Sequence, residues 1–180
     1  MRIGFFPNMG KSTIMAVLKM AAHICREEQI EVYLPDDLER PDTYKVLQIP
    51  KENVLPRPEI FKHIDVAFSF GGDGTIIHLA RQIFSYNIPV CGINLGELGF
   101  LNQIEVHQLQ SHIKRIAQGD YTIEKRGHLH AYIDRSTLLR TTKKRSRHRW
   151  MSAPFSICAL CMLHAKTRIA LVLSALLVAF

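Results

Sequence analysis

Three glycines surround one carboxylate in the run Gly71-Gly72-Asp73-Gly74-Thr75, which directly follows the apolar stretch Val66-Ala67-Phe68-Ser69-Phe70 and leads at once into another apolar stretch reaching Phe84. A buried strand that ends in such a loop and passes straight into a helix, read here as residues 75–84, can fold in few ways. Glycine has no Cβ, so the loop can take positive φ and bring bare backbone N–H groups against an anion, and the dipole of the following helix favours the same charge. A carboxylate beside a phosphate is repelled unless it has a chemical task there, as general base on an attacking hydroxyl or as part of a magnesium site. The bland alternative is a strand-to-helix turn that happens to be glycine-rich. Gly-Gly alone leaves the two readings level, whereas the whole run between strand and helix favours the phosphate.

The surrounding pattern predicts more strands alternating with helices. Residues 2–6, 31–34, 64–70 and 89–93 read as short apolar strands. Residues 12–28 read as a helix, with Met15, Leu18, Ala22 and Cys25 on one face, and Val106, Leu109, Ile113 and Ile116 mark another helix that Gly119 can stop. Residues 35–58 are polar and proline-rich with little periodicity, and are expected to form a long irregular connection. The alternation predicts an α/β domain over 1–120, a Rossmann-like parallel sheet with helices on both faces. After Gly119 the period changes. Leu129, Ala131 and Ile133 alternate with His128, His130 and Tyr132, so residues 121–134 read as the first strand of an all-β second domain that is not completed.

Composition matters mainly because it breaks near that point. All sixteen acidic residues lie at or before Asp134 with fourteen Lys and Arg, while nine Lys and Arg and no acid follow; the net charge of +7 therefore belongs to the end of the chain. All ten glycines lie at or before Gly127 and all five asparagines at or before Asn102. A segment without these turn residues is hard to build into a compact β-rich domain. Residues 135–180 are read as an atypical basic and apolar tail rather than a native domain. A frameshifted or otherwise aberrant end and a real tail both remain open.

Several other features have ordinary explanations. Gly10-Lys11-Ser12-Thr13 resembles the end of a phosphate-binding loop, but the required first glycine falls at Phe5, with Gly4 one place too far. Cys158, Cys161 and His164 supply three metal-type ligands where a closed zinc site needs four. His128 and His130 share a strand face without a third ligand. The six Lys and Arg of residues 140–149 read as a solvated charge run beside Trp150, not as a specific nucleic-acid site. The apolar runs 155–163 and 169–180 are each too short to cross a bilayer, which takes roughly 20 residues. Cys25 and Cys91 read as small buried hydrophobes, and the first residues do not look like a signal peptide, so the cytoplasm is the expected location.

The loop Gly71-Gly72-Asp73-Gly74-Thr75 resembles the one shared by NAD kinases, diacylglycerol-type lipid kinases and, in variant form, phosphofructokinases. A second run, Gly92-Ile93-Asn94-Leu95-Gly96-Glu97-Leu98-Gly99-Phe100-Leu101, is similar to the bacterial type of NAD kinase in particular. The likeness extends from about Met1 to Ile133, ending near Glu124-Lys125-Arg126, which looks like the first strand of that family's second domain. It implies transfer of the γ-phosphoryl of ATP to the 2′-hydroxyl of the adenosine ribose of NAD, giving NADP. It implies Asp73 as general base; Asp73, Gly74, His78 and Phe100 as NAD-binding; Gly71, Gly72, Gly74 and Thr75 as phosphate-binding; and Mg2+ arriving with ATP. Lys11, in the first strand-to-helix turn, can meet phosphate charge. The chain departs from the family further on. The family's Asn-Glu pair and Thr- and Gly-rich loop need residues that do not occur after Asn102, Glu124 and Gly127. The activity of these 180 residues is therefore expected to be impaired, and family-like homo-oligomers are expected only with the second domain. No specific nucleic acid or membrane partner is implied. The alternatives are an inactive nucleotide-binding fragment and a diacylglycerol-type lipid kinase; against the latter stand residues 94–101 and the absence of an acid at position 78.

Overall fold

A computed structural model describes residues 1–40, 42–96, 99–101, 104–131 and 169–179, the stretches 125–131 and 169–179 as backbone. It divides into two compact units, Met1–Arg126 with Ser174–Phe180, and Gly127–Leu173. The first unit carries the alternating part of the chain. Its elements are β1 (Arg2–Pro7), α1 (Ile14–Glu27), β2 (Glu31–Pro35), α2 (Thr43–Leu47), β3 (Val54–Leu55), α3 (Arg57–His63), β4 (Val66–Gly71), α4 (Asp73–Ile83), β5 (Val90–Asn94), β6 (Ile104–Glu105) and α5 (Leu109–Ala117). Two further strands follow, β7 (Thr122–Ala131) and β8 (Ile169–Ala179), each with residues in both units.

The strands of the first unit run in the order β3-β2-β1-β4-β5, with β6 also on β5, and every one of these neighbours is parallel. Phe5 of β1 stands opposite Phe68 of β4, and Phe68 opposite Cys91 of β5. Leu177 of β8 is a parallel partner of Val90. All six residues of β4 are buried, as a central strand covered on both faces requires. Alternation then sorts the side chains. Ile3, Phe5, Phe68, Phe70, Cys91 and Ile93 pack with α1 and α5, while Phe6, Ala67 and Val90 pack with α3 and α4. Each fully buried large side chain of this kind contributes about 1.5–3 kcal/mol. The expected parallel α/β sheet with helices on both faces is what residues 1–120 form.

The expectation for 35–58 is corrected. That stretch holds α2, a 3-10 turn at Lys51–Asn53 and β3, which pairs with β2 through Leu34 and Val54. Pro58 does not prolong a loop; it stands in the first turn of α3, where its missing N–H costs nothing. Gly119 ends the fifth helix with a positive φ of 75° and donates to the Ile116 carbonyl. A strand does begin at Thr122. The readings placed on Tyr132, Ile133, Cys158, Cys161, His164, Trp150 and residues 140–149 lie outside the described residues, as does most of the segment 135–180. Among the described residues no helix is long and apolar enough to cross a membrane.

Candidate functional site

The chain leaves β1 for β2 on one side of the sheet, while β4 lies on the other. The strand order thus reverses between β1 and β4, and in open parallel sheets ligands bind outside the carboxyl ends of the strands at such a point. Three loops gather there, from β1, β4 and β5.

The β4 loop is shorter than expected, because α4 starts at Asp73 rather than Thr75, with Gly72 as its N-cap. Asp73 therefore stands in the first turn, where a negative charge meets the positive end of the helix dipole. The glycines of the loop are used for space and not for positive φ: Gly72 is extended at φ −108° and ψ −171°, and among the described glycines only Gly119 has positive φ. A Cβ on Gly71 would collide with the Thr75 hydroxyl and come within 2.9 Å of its Cβ, whereas Gly72 and Gly74 have nothing within 4 Å of where a Cβ would stand. Gly71 thus lets the chain turn tightly over Thr75. Gly72 and Gly74 leave the backbone open to a ligand.

The β5 loop closes onto Asp73. Phe100 N–H donates to Asp73 Oδ2 at 2.8 Å and Leu101 N–H to Oδ1 at 3.1 Å, so the two carboxylate oxygens are fixed by consecutive amides. Gly99 makes this approach possible, since a Cβ there would overlap the Asp73 carboxylate, with Cγ at 2.6 Å and Oδ2 at 2.8 Å. Further back the same loop is set by Asn94, which is buried. Its Oδ1 accepts from Gly96 N–H at 3.1 Å, its Nδ2 donates to the Gly96 carbonyl at 3.2 Å, and Leu95 N–H donates to the Gly71 carbonyl at 3.2 Å. The Phe100 side chain is 96% exposed, on the residue whose backbone N–H holds the Asp73 carboxylate.

The β1 loop completes the set. Asn8 N–H donates to the Phe70 carbonyl at 2.9 Å, and Asn8 Oδ1 accepts from Gly10 N–H at 3.1 Å. Lys11 follows, and its Nζ lies 3.7 Å from where a Cβ of Gly96 would be, which brings its charge to the β5 loop. Of the residues picked out by sequence, Gly71, Gly72, Asp73, Gly74, Thr75 and Phe100 come together here. His78 lies one turn along α4, exposed, with its Nε2 2.8 Å from Gln82 Nε2. Sequence reading missed Gln82 and Arg57, joined at 3.2 Å from Arg57 Nη1 to Gln82 Oε1. The spacing of His78 and Gln82, four apart on one helix face, was the signal available.

Residues 3–121 match the family model described as the ATP-NAD kinase N-terminal domain. The chain belongs to the NAD kinase family. The NAD kinase of Natranaerobius thermophilus is 33% identical over 132 residues, covering 73% of this chain and 44% of that protein. The NAD kinase of a Marinomonas species is 35% identical over 136 residues, covering 74% and 44%, and that of Heliobacterium modesticaldum 43% over 86 residues, covering 46% and 30%. The crystal structure of yeast NADH kinase complexed with NADH has the same fold, with a TM-score of 0.59 at 16% identity over 81% of this chain and 44% of that one. The chain thus spans less than half the length of the NAD kinases it matches.

Proposed function

We propose that residues 1–126 form the nucleotide-binding half of an enzyme that transfers the γ-phosphoryl of ATP to the 2′-hydroxyl of the adenosine ribose of NAD, and that Asp73 is its general base. The observation that carries this reading is the carboxylate at the start of α4, held at both oxygens by the amides of Phe100 and Leu101. An oriented base adjoining open backbone at Gly72 and Gly74 suits a hydroxyl attacking a phosphate.

In that reaction the ribose oxygen attacks the γ-phosphorus, the bond from that phosphorus to the β,γ-bridging oxygen breaks, ADP leaves with the electron pair, and the hydroxyl proton passes to Asp73. General-base help of this kind is worth about 10²–10⁴ in rate. Gly71, Gly72 and Gly74, at a helix N-terminus, hold phosphate oxygens through backbone N–H groups, with Thr75, whose own N–H donates to the Gly72 carbonyl at 3.0 Å, beside them, and Lys11 adds positive charge as the oxygens accumulate negative charge. Magnesium enters as part of the MgATP substrate. Phe100 offers its uncovered ring to a base of NAD, and His78 lies along the dinucleotide. The cytoplasm, where both nucleotides occur, is the proposed location.

Binding tests this directly. In a 15N-labelled chain titrated with NAD and then MgATP, the amide resonances of Gly72, Gly74, Thr75 and Phe100 are expected to shift together. Shifts confined to other parts of the sheet, or no shifts at millimolar nucleotide, contradict the assignment.

A further inference from the structure

A hydrogen-bonded chain runs from the turn after β2, through the first residue of α3, to the exposed imidazole on α4. Arg57 Nε donates to Asp37 Oδ2 at 2.7 Å, and Arg57 Nη1 donates to Gln82 Oε1 at 3.2 Å. The Gln82 amide nitrogen is in turn 2.8 Å from His78 Nε2. Arginine is well held for this purpose: its side chain is 26% exposed, and the guanidinium carbon lies 5.8 Å from the centroid of the Phe6 ring.

Donor and acceptor roles follow from chemistry alone. A guanidinium has five donors and no acceptor, so the amide atom that meets Arg57 must be the oxygen. The NH₂ group of Gln82 must then face His78, and since it can only donate, His78 Nε2 accepts with its lone pair. The proton of the neutral ring is left on Nδ1. This is the tautomer opposite to the one an imidazole favours in water. We infer that Arg57 and Gln82 are positioning residues that lock His78 as the Nδ1–H tautomer, so that the ring offers an N–H donor, not a lone pair, to a hydrogen-bond acceptor of the nucleotide bound beside α4. The second half of this statement rests on the proposed dinucleotide site; the first does not.

The test reads the tautomer in the whole 180-residue chain labelled with 15N-histidine, at about pH 8.5, well above the ordinary imidazole value of about 6.5. With no ligand, His78 is expected to show a pyrrole-like, protonated Nδ1 and a pyridine-like Nε2. Gln82→Leu removes the donor and is expected to return the ring to Nε2–H. Arg57→Met frees the amide to turn and is expected to do the same, whereas Arg57→Lys, which keeps a donor for Oε1, is expected to keep Nδ1–H. A protonated Nε2 in the parent overturns the lock without any variant, and so does an Nδ1–H signal that survives Gln82→Leu. Titration with NAD then tests the role. Affinity is expected to fall about fivefold in Gln82→Leu, the effect of one hydrogen bond, and equal affinity for parent and variant overturns the part played in recognition. If NAD moves no resonance of α4, the dinucleotide reading falls and the lock, read in the absence of ligand, stands.

Discussion

Asp73 and Gly99 sit so close that a methyl group on the glycine would displace the carboxylate. Gly99→Ala is therefore expected to pull Asp73 away from the Phe100 and Leu101 amides and to cost phosphoryl transfer more than stability, since the loop is at the surface. The glycines of the β4 loop divide in the opposite sense. Gly71→Ala must force the Thr75 side chain aside and is expected to lower stability by about 1–3 kcal/mol, measured by urea unfolding. Gly72→Ala and Gly74→Ala meet no neighbour; the first is expected to cost about 0.5–1 kcal/mol at the N-cap and the second to stabilise by up to about 1 kcal/mol in the helix, while both weaken nucleotide binding. Ser69 gives a separate test. Its Oγ is buried with no hydrogen-bond partner among the described residues, a state that costs about 1–3 kcal/mol, so Ser69→Ala is expected to leave the melting temperature unchanged or raise it. At this scale the sequence revealed the residue types but not their uses. It placed Asp73 and Phe100 in one site, yet it could not show that they touch across 27 positions, or that the loop glycines serve close approach rather than positive φ.

Among the elements, α1 and β5 each bury one cysteine. Burial pushes the Cys25 thiol up to about 12 and raises that of Cys91 also. Neither is expected to react with a thiol reagent at about pH 8 in the native protein, a result that peptide mapping can assign to each site. The sign of the pH dependence follows. Thiols of the unfolded chain ionise near their ordinary value of 9.0 while native Cys25 keeps its proton, so the unfolded state binds fewer protons above that pH. Stability is full below about 9 and declines as pH rises toward about 12, and Cys25→Ala is expected to reduce the slope. The long elements were legible for a simple reason: α1 buries Ile14, Val17, Leu18, Ala21 and Cys25 at helical spacing, and β4 and β5 are mostly apolar and buried along their whole length. The short ones were not. The α2 and α3 helices have five and seven residues, too few for a period to show, and β3 and β6 have two each and follow from pairing with a neighbour already in place. The start of α4 was misjudged by two residues because Asp73 and Gly74 look like loop residues, although an acid in the first turn is what the helix dipole favours.

For the whole molecule, the order β3-β2-β1-β4-β5 reverses direction between β1 and β4, and Lys11, Asp73 and Phe100 stand at the carboxyl ends of β1, β4 and β5. Residues 3–121, which carry all three, are the part that matches the NAD kinase family. Holding reactants in line is worth roughly 7–11 kcal/mol of barrier, and the match to this chain covers 44% of the Natranaerobius thermophilus NAD kinase, leaving more than half of that protein outside it. The most direct measurement therefore joins residues 1–126 to the C-terminal half of the Natranaerobius thermophilus NAD kinase and follows NADP formation from ATP and NAD, with and without Asp73→Asn. The asparagine is nearly isosteric and keeps one acceptor for the Phe100 and Leu101 amides, but it cannot take the hydroxyl proton. The account predicts a loss of about 10²–10⁴ in rate with nucleotide affinity little changed; transfer within about twofold of the parent would contradict it and remove Asp73 from the role of base.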